Sequence, residues 1–201
     1  MTACRPNTER NNLKLDPQKT ALLTLDLQKG VLGLVPGSER VMTMAAKAVA
    51  FARQNRFRII HVGLAFSEGY PEIPDVESPF LRIKQNNLFV KGTPSVEFHG
   101  DIFHPDDLVI YKQRVGAFSD NHLEMVLRSR RIEHLVVFGI ATSGIVLSTV
   151  RRAFDLDFRS VVLEDACFDS DQEVHRVLTE KVFPAQAWVA ATDEFIAAQK
   201  S

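Results

Sequence analysis

Short, nearly continuous apolar runs recur along the chain, and segments with apolar residues at helical spacing separate them. The runs cover residues 20–27, 57–64, 107–112, 134–140, 159–166 and 187–191. Uninterrupted runs of this length are typical of strands that are buried on both faces. Strands that alternate with helices predict right-handed crossovers and parallel pairing. We therefore expect a three-layer α/β/α fold with a six-stranded, mainly parallel sheet.

Polar residues between the runs mark where helices should begin. The expected helix starts are Ser38, Asp120 or Asn121, Ser143, Ser170 and Thr192. Small polar side chains favour such positions because they accept hydrogen bonds from the free N–H groups of the first turn. Ser170 followed by Glu173 has the spacing of a capping box.

Two stretches of the chain lack this regular pattern. Residues 1–18 are polar and are expected to form a flexible N-terminal tail. Residues 65–106 contain five prolines and little periodicity, which predicts an irregular insertion near a functional site. The length of 201 residues fits one domain, which we place at 19–201.

Composition narrows the possible functions. Hydrophobic residues make up 45% and charged residues 24%, which excludes a mostly disordered chain. The formal net charge of −1 argues against a partner such as nucleic acid that is held mainly by charge. No apolar run is long enough to span a membrane, and the first twelve residues lack the apolar core of a secretory signal. A cytoplasmic location is expected.

Three strand ends carry side chains with possible chemistry. Asp26 lies at the end of the first run, Lys112 ends the run at 107–112, and the turn at 139–144 opens a helix. In doubly wound sheets the ligand lies at the carboxyl ends of the strands. Asp26 could transfer protons, and Lys112 could stabilise negative charge beside it. The alternative is that the two residues are solvated or form a purely structural ion pair.

One cluster resembles a metal site. His99, Asp101, His104 and Asp106 lie close together in the sequence. They fall in a loop without the helical or strand spacing that would direct them at one point. We interpret them as solvated loop residues and expect neither a metal nor another cofactor.

Three further residues have candidate chemistry but simpler interpretations. His61 lies within a strand and is expected to be a core histidine, and His175 is expected to be partly exposed. Cys167 follows a strand and could face the site. A single thiol there is more often a small buried apolar residue than a nucleophile. With Cys4 as the other cysteine, the chain has no disulfide framework and no four-thiolate zinc site.

Four motifs together give the chain a family resemblance. They read LTLDLQ (23–28), YKQRVGAFSDNHLEMVL (111–127), GIATSGIVLST (139–149) and EDACFDSDQEVH (164–175). Their order and separation resemble those of the isochorismatase-like hydrolases, a superfamily that includes nicotinamidases and N-carbamoylsarcosine amidases. The resemblance covers about residues 18–198 and implies a six-stranded parallel sheet between helices, with Rossmann-type winding.

The resemblance also implies a catalytic site and shows one departure from it. The family triad is Asp, Lys and a nucleophilic Cys; Asp26 and Lys112 match the first two, but Ile145 stands at the cysteine position. The family's cis peptide would fall between Ile140 and Ala141. The Asp-x-His metal motif of nicotinamidases is absent after the second strand.

The wider substrate and oxyanion region also follows from the resemblance. It would comprise Gln28 and the turn residues Ile140, Ala141, Thr142, Ser143 and Gly144. Members of the family are usually oligomeric, so we expect a homo-oligomer, a dimer or higher.

Two hypotheses of different classes follow. The first is a cysteine-independent hydrolase of a small molecule, with Asp26 as acid/base and Lys112 as its partner, which would suit cleavage of a vinyl ether or a related bond. The second is a non-catalytic family member that binds a small ligand or a protein. A third reading, in which Cys167 replaces the missing thiol, is weaker because Cys167 does not lie at the helix start that activates the family cysteine.

Overall fold

One parallel sheet organises the chain. The computed structural model describes residues 14–200. The strands are Thr20–Leu25 (β1), Arg58–Leu64 (β2), Leu108–Lys112 (β3), His134–Gly139 (β4), Arg159–Leu163 (β5) and Ala187–Ala190 (β6). They lie in the order β3-β2-β1-β4-β5-β6, and every neighbouring pair is parallel. The predicted fold class is confirmed.

Helices connect the strands. They are Lys29–Leu34 (α1), Met42–Gln54 (α2), Pro79–Gln85 (α3), Leu123–Ser129 (α4), Leu147–Asp155 (α5), Gln172–Val177 (α6) and Thr192–Lys200 (α7). A π-helical turn at Thr142–Val146 leads into α5, and a second at Leu178–Val182 continues α6.

The core lies on the two faces of the central strands. All six residues of β1 are buried, as are five of the six in β4. This burial explains why these strands read as uninterrupted apolar runs rather than as an alternation. The direction of winding reverses between β1 and β4, so a crevice is expected at the carboxyl ends of these two strands.

Two of the expected helix caps are wrong. Ser38 lies in a 3-10 turn before α2, and its buried hydroxyl donates to the Leu32 carbonyl instead of capping. Asp171, not Ser170, caps α6, because its carboxylate reaches the N–H groups of Glu173 and Val174.

The helix starts expected near Asn121 and Ser143 agree better with the observed helices. The Asn121 side chain accepts a hydrogen bond from the N–H of Leu123, the first residue of α4. Ser143 lies in the π-helical turn that precedes α5.

The segment 65–106 packs around its own small core. Phe66, Tyr70 and Phe89 are buried there, and α3 lies beside them. Phe66 also forms a short parallel bridge with Val90. The segment is therefore held by its own apolar contacts.

The predicted tail is only partly tested. Residues 1–13 lie outside the described residues. Leu15 is buried, and its N–H donates to the Gln199 side chain in α7. Pro17–Lys19 form a 3-10 turn capped by Asp16. The last part of the expected tail is thus packed on the domain. Across residues 14–200, no helix has the length and apolar character needed to cross a membrane.

His61 is the core histidine that its position in β2 predicts. It has no exposed surface; Nδ1 lies 2.7 Å from the Thr24 hydroxyl, and Nε2 lies 3.1 Å from Asp107 Oδ2. Asp107 also binds Arg53 through two hydrogen bonds. Burial opposes ionisation of Asp107, but the hydrogen bonds from Arg53 and His61 outweigh it and lower its pKa.

This network makes stability depend on pH. Burial lowers the pKa of His61 below its usual value, although Asp107 opposes the shift. The unfolded chain therefore takes up a proton near pH ~6.5 that folded His61 does not. The contribution of His61 to the free energy of unfolding should be fully present above that pH and should be lost as the pH drops through it. His134 and His175 have lowered pKa values and contribute in the same direction.

We expect His61→Gln to lower the free energy of unfolding by about 1–3 kcal/mol at pH 7, because it disrupts two buried hydrogen bonds. The variant should also lose less stability than the wild type between pH 7 and pH 5.5. Urea unfolding at both values measures this, with the exposed His104→Gln as control. Parallel pH profiles for wild type and His61→Gln would contradict the assignment.

Candidate active site

Asp26 lies immediately beyond β1, at the centre of the sheet. Its backbone has a positive φ of 54°, which aspartate tolerates better than most residues. Its N–H donates to the Val62 carbonyl at 2.8 Å, so the turn stays attached to β2. The residue is only 6% exposed. The sheet thus holds a carboxylate at its carboxyl edge, in a buried position.

Lys112 is the last residue of β3 and is 1% exposed. Its ammonium donates to Asp26 Oδ2 at 2.9 Å and to the Arg114 carbonyl at 3.1 Å. The ion pair expected from the two strand ends is present. The two strands are not neighbours in the sheet, because β2 lies between them and pairs Leu64 with Lys112. The long lysine side chain crosses the end of β2 to reach the carboxylate.

The electrostatics of Asp26 differ from those of a surface carboxylate. Burial raises its pKa, and the charge and hydrogen bond of Lys112 oppose that shift. Oδ1 is buried and has no hydrogen-bond partner among the described residues. A buried oxygen without a partner costs about 1–3 kcal/mol or more. The site therefore contains a carboxyl group that is biased towards holding a proton and has one oxygen free.

The turn after β4 lies at the same carboxyl edge of the sheet and forms a second wall of the candidate site. Gly139 has a φ of 149°, and a Cβ there would collide with the Leu25 carbonyl. The Ile140 N–H donates to that same carbonyl, and the Ile140–Ala141 peptide is cis, where the resemblance placed it. Ile145 lies in the following π-helical turn and is 2% exposed. Its side chain is apolar, at the position where the resemblance implies a thiol.

The backbone amides of this turn are less free than the sequence suggests. The Ser143 N–H donates to Asp169 Oδ2 at 2.7 Å, and the Gly144 N–H donates to the Ala141 carbonyl at 3.1 Å. Two of the amides considered as oxyanion donors are thus engaged elsewhere. Among Ser143, Gly144 and Ile145, only the Ile145 N–H remains a candidate.

Gln28 holds the site together through hydrogen bonds to the backbone of two other segments. Its side-chain NH₂ donates to the Leu64 and Val96 carbonyls, and its oxygen accepts from the Leu64 N–H. Gly63 leaves room for this side chain, because a Cβ there would lie 2.5 Å from the Gln28 amide carbon. Both side-chain N–H donors are used, so the Gln28 amide group clamps β2 to the 65–106 segment.

Thr142 is fully buried and also has an internal partner. Its hydroxyl lies 2.9 Å from His175 Nδ1. His175 is half-buried, as expected, and burial lowers its pKa, although Asp169 opposes the shift. Thr142 and His175 therefore join the turn after β4 to α6.

Asp169 is the structural residue that the sequence interpretation missed. It is 4% exposed and binds the Ser143 N–H, which fixes the start of the π-helical turn. It lies within the fourth motif, but nothing in the spacing distinguishes it from the acidic residues around it. Only its burial in the folded chain reveals its role.

Cys167 is buried and close in sequence to this network. Burial raises the pKa of its thiol to about 12. The thiol is therefore protonated at neutral pH, which suits a small core residue rather than a nucleophile. Cys4, the other thiol, lies outside the described residues.

The His/Asp cluster of the long segment does not converge. His99 lies near Asp101, and His104 lies near Asp106, each pair separated by 3.6 Å with exposed side chains. Within residues 14–200, no group of three or more His, Cys, Asp or Glu residues is arranged to hold a metal ion.

Comparison with known proteins indicates the family of the chain. The isochorismatase domain model matches residues 20–194. An uncharacterised isochorismatase family protein of Bacillus subtilis, YwoC, is 33% identical over 188 residues, covering 92% of this chain and 97% of that protein. The ureidoacrylate amidohydrolase RutB of Acinetobacter baylyi is 29% identical over 212 residues, covering 94% and 86%.

A solved structure agrees with the sequence relatives. An isochorismatase family protein from Burkholderia thailandensis has a TM-score of 0.79 and 26% identity, and the match covers 94% of this chain and 98% of that one. With the sheet order and the site described above, these matches establish that the chain belongs to the isochorismatase family.

We expect thiol alkylation to leave any hydrolytic activity intact, because Cys167 is buried and protonated. Treatment of the folded protein with iodoacetamide at pH 7.5, followed by an activity assay and mass mapping, tests this. The Cys167→Ala variant is the matched control and should retain activity. Complete inactivation that substrate prevents, with label on Cys167, would assign the thiol a catalytic role.

Proposed function

We propose that this protein hydrolyses a small molecule without a covalent thiol intermediate, with Asp26 as the proton donor and acceptor and Lys112 as its electrostatic partner. The single observation that carries the proposal is the buried ion pair, in which Asp26 Oδ1 has no partner among the described residues. A free, buried carboxyl oxygen is suited to exchange a proton with a bound substrate.

The residue at position 145 favours proton transfer over covalent catalysis. Ile145 offers no nucleophile, and its apolar side chain lowers the polarity of the wall it forms. Burial that raises the pKa of Asp26 keeps the proton available at a higher pH than an ordinary aspartate would. In the proposed reaction, Asp26 gives its proton to the enol carbon of a vinyl ether or a related group.

Addition of water and separation of the products complete the proposed reaction. Protonation of carbon leaves an oxocarbenium centre, and water adds its oxygen there. The proton lost by that water returns to the Asp26 carboxylate, and the hemiacetal then separates into a carbonyl compound and an alcohol. Lys112 stabilises Asp26 while the carboxylate is ionised.

Two other readings have specific support. The similarity to a ureidoacrylate amidohydrolase makes amide-type bonds a substrate class to include in any screen. Isoleucine at the position of the family nucleophile supports the non-catalytic alternative, in which the chain binds a small ligand or a protein partner.

The proposal extends to assembly and location. We expect a homo-oligomer in the cytoplasm. Leu34, Met125 and Phe154 are at least half exposed and are apolar surfaces that an interface would cover. Sedimentation analysis of the purified protein would decide whether it is a monomer.

We expect Asp26→Asn to reduce activity by at least about 100-fold, the usual contribution of acid–base catalysis. The assay is a screen of vinyl ethers, amides and esters with wild type and variant. Where the wild type turns over a substrate, its rate should decline as the pH rises, because the raised pKa belongs to the group that must be protonated. Full activity of Asp26→Asn on such a substrate would contradict the acid/base role.

A double variant separates catalysis from stability. Removing one partner of a buried ion pair costs about 3–5 kcal/mol, whereas neutral replacement of both is often tolerated. Asp26→Asn with Lys112→Met should therefore be more stable to urea than either single variant but remain inactive. Recovery of activity together with stability would make the pair purely structural. Absence of turnover on every substrate class by the wild type would favour the binding alternative.

We expect Ile145→Cys to remain a poor amidase. The new thiol would lie in an apolar, buried position, which raises the pKa of a thiol. Amide hydrolysis by Ile145→Cys, with Ile145→Ala as the control for altered pocket volume, tests this. Efficient, iodoacetamide-sensitive hydrolysis by the cysteine variant would show that the pocket is already shaped for covalent catalysis.

A further inference from the structure

The ammonium of Lys112 has a second partner besides Asp26. It donates to the backbone carbonyl of Arg114 at 3.1 Å, and its contact with Asp26 Oδ2 measures 2.9 Å. A buried ammonium needs acceptors for its N–H groups, because a donor without a partner retains the cost of its desolvation. The position of the Arg114 carbonyl therefore helps to set where the ammonium lies.

The side chain of Arg114 folds back onto the loop that follows β3. Nη1 donates to the Gln113 carbonyl at 2.7 Å and to the Glu72 carbonyl at 3.2 Å. The central carbon of the guanidinium lies 5.8 Å from the centre of the Phe80 ring, which is within the range of a cation–π contact. The guanidinium thus joins its own loop to two points of the segment 65–106.

Other hydrogen bonds fix this loop only as far as Gln113. The N–H of Ala65 donates to the Lys112 carbonyl at 3.2 Å, and the Gln113 side chain donates to the Ala65 carbonyl at 2.8 Å. Both bonds attach the loop to the end of β2. The Arg114 carbonyl lies one residue further on, where the guanidinium of Arg114 supplies the attachment.

Arg114 acts on Asp26 through geometry rather than through its own charge. Burial raises the pKa of Asp26, and among the described residues Lys112 is the charged group that opposes this shift. The opposing effect includes a hydrogen bond, which depends on where the ammonium lies. A residue that moves the ammonium therefore changes the balance at Asp26.

We propose that Arg114 is a positioning residue of the proposed reaction: its guanidinium holds the Arg114 carbonyl where that carbonyl fixes the Lys112 ammonium against Asp26 Oδ2. This inference rests on the proposed function and deepens it. With Oδ2 held, the orientation of the carboxyl group is fixed, and with it the position of Oδ1. Packing of the segment 65–106 against Arg114 is then a condition for a correctly oriented acid–base pair, and a misplacement of about 1 Å can cost about 100-fold in rate.

Titration of Asp26 tests the proposal without turnover. The aspartate carboxyl carbons are labelled with ¹³C, and the Asp26 signal is identified by its absence from the Asp26→Asn, Lys112→Met double variant. Arg114→Gln should move the Asp26 midpoint to higher pH than in the wild type, because a displaced ammonium stabilises the carboxylate less. Arg114→Lys should move it in the same direction, because lysine keeps the charge but lacks the planar group. A wild-type midpoint in Arg114→Lys, with a shifted one in Arg114→Gln, would show that charge alone acts and would overturn the positioning role.

Arg82→Gln is the matched control. Arg82 belongs to α3 in the same segment, and its exposed side chain lies 4.0 Å from Glu77. The substitution changes the net charge as Arg114→Gln does, and the Asp26 midpoint should stay at its wild-type value. Urea unfolding of each variant measures stability in parallel. Lower stability of Arg114→Gln with an unchanged Asp26 midpoint would make Arg114 a purely structural residue and overturn the proposal.

Kinetics separate this proposal from the proposed function. For any substrate that the wild type hydrolyses, Arg114→Gln should lower kcat about 10- to 100-fold with KM within about 3-fold, because it disturbs the acid–base pair rather than substrate binding. The decline of the rate at high pH should move to higher pH together with the Asp26 midpoint. A raised KM with unchanged kcat would overturn the positioning role. An Asp26 midpoint that depends on Arg114, in a protein whose Asp26→Asn variant is fully active, would support the coupling to Arg114 and contradict the proposed function alone.

Discussion

The buried ion pair between Lys112 and Asp26 is the constraint on which the rest of the structure depends. Moving two charges out of water costs several kcal/mol for each ion, and the cost is offset only when the pair is close and well oriented. The 2.9 Å contact meets that condition only if β3 ends level with β2. Register across three strands is therefore tied to the chemistry of one contact.

Hydrogen bonds from side chains to the backbone hold the loops around that ion pair. Gln28 fastens the long segment to the end of β2, and Asp169 fastens the turn after β4 to the segment after β5. These two side chains are buried, and their polar atoms form hydrogen bonds within the protein. The site is consequently built from fixed walls, and Asp26 Oδ1 stands out because it has no such partner among the described residues.

The chemistry that such a site favours follows from what surrounds the carboxyl group. Burial of Asp26 makes the neutral acid more favourable, whereas Lys112 favours the carboxylate. An acid that must both give and regain a proton needs access to both forms. The proposed role of Asp26 depends on that balance.

Much of the fold was determined by the sequence alone, because burial on both faces leaves a strong apolar signal. The six runs correspond to β1–β6, and the residues ending two of them, Asp26 and Lys112, do meet at one edge. Local signals were weaker at helix starts. Asp171 caps α6 instead of the predicted Ser170, because a shift of one residue changes which side chain can reach the free N–H groups.

Only the tertiary structure decided what joins distant segments. The sequence did not place β2 between the strands that carry Asp26 and Lys112, nor did it assign Gln28 to backbone carbonyls 36 and 68 residues away. The physical reason is that periodicity records whether a residue is buried, while hydrogen-bond partners and cavities depend on which remote backbone groups packing brings within reach.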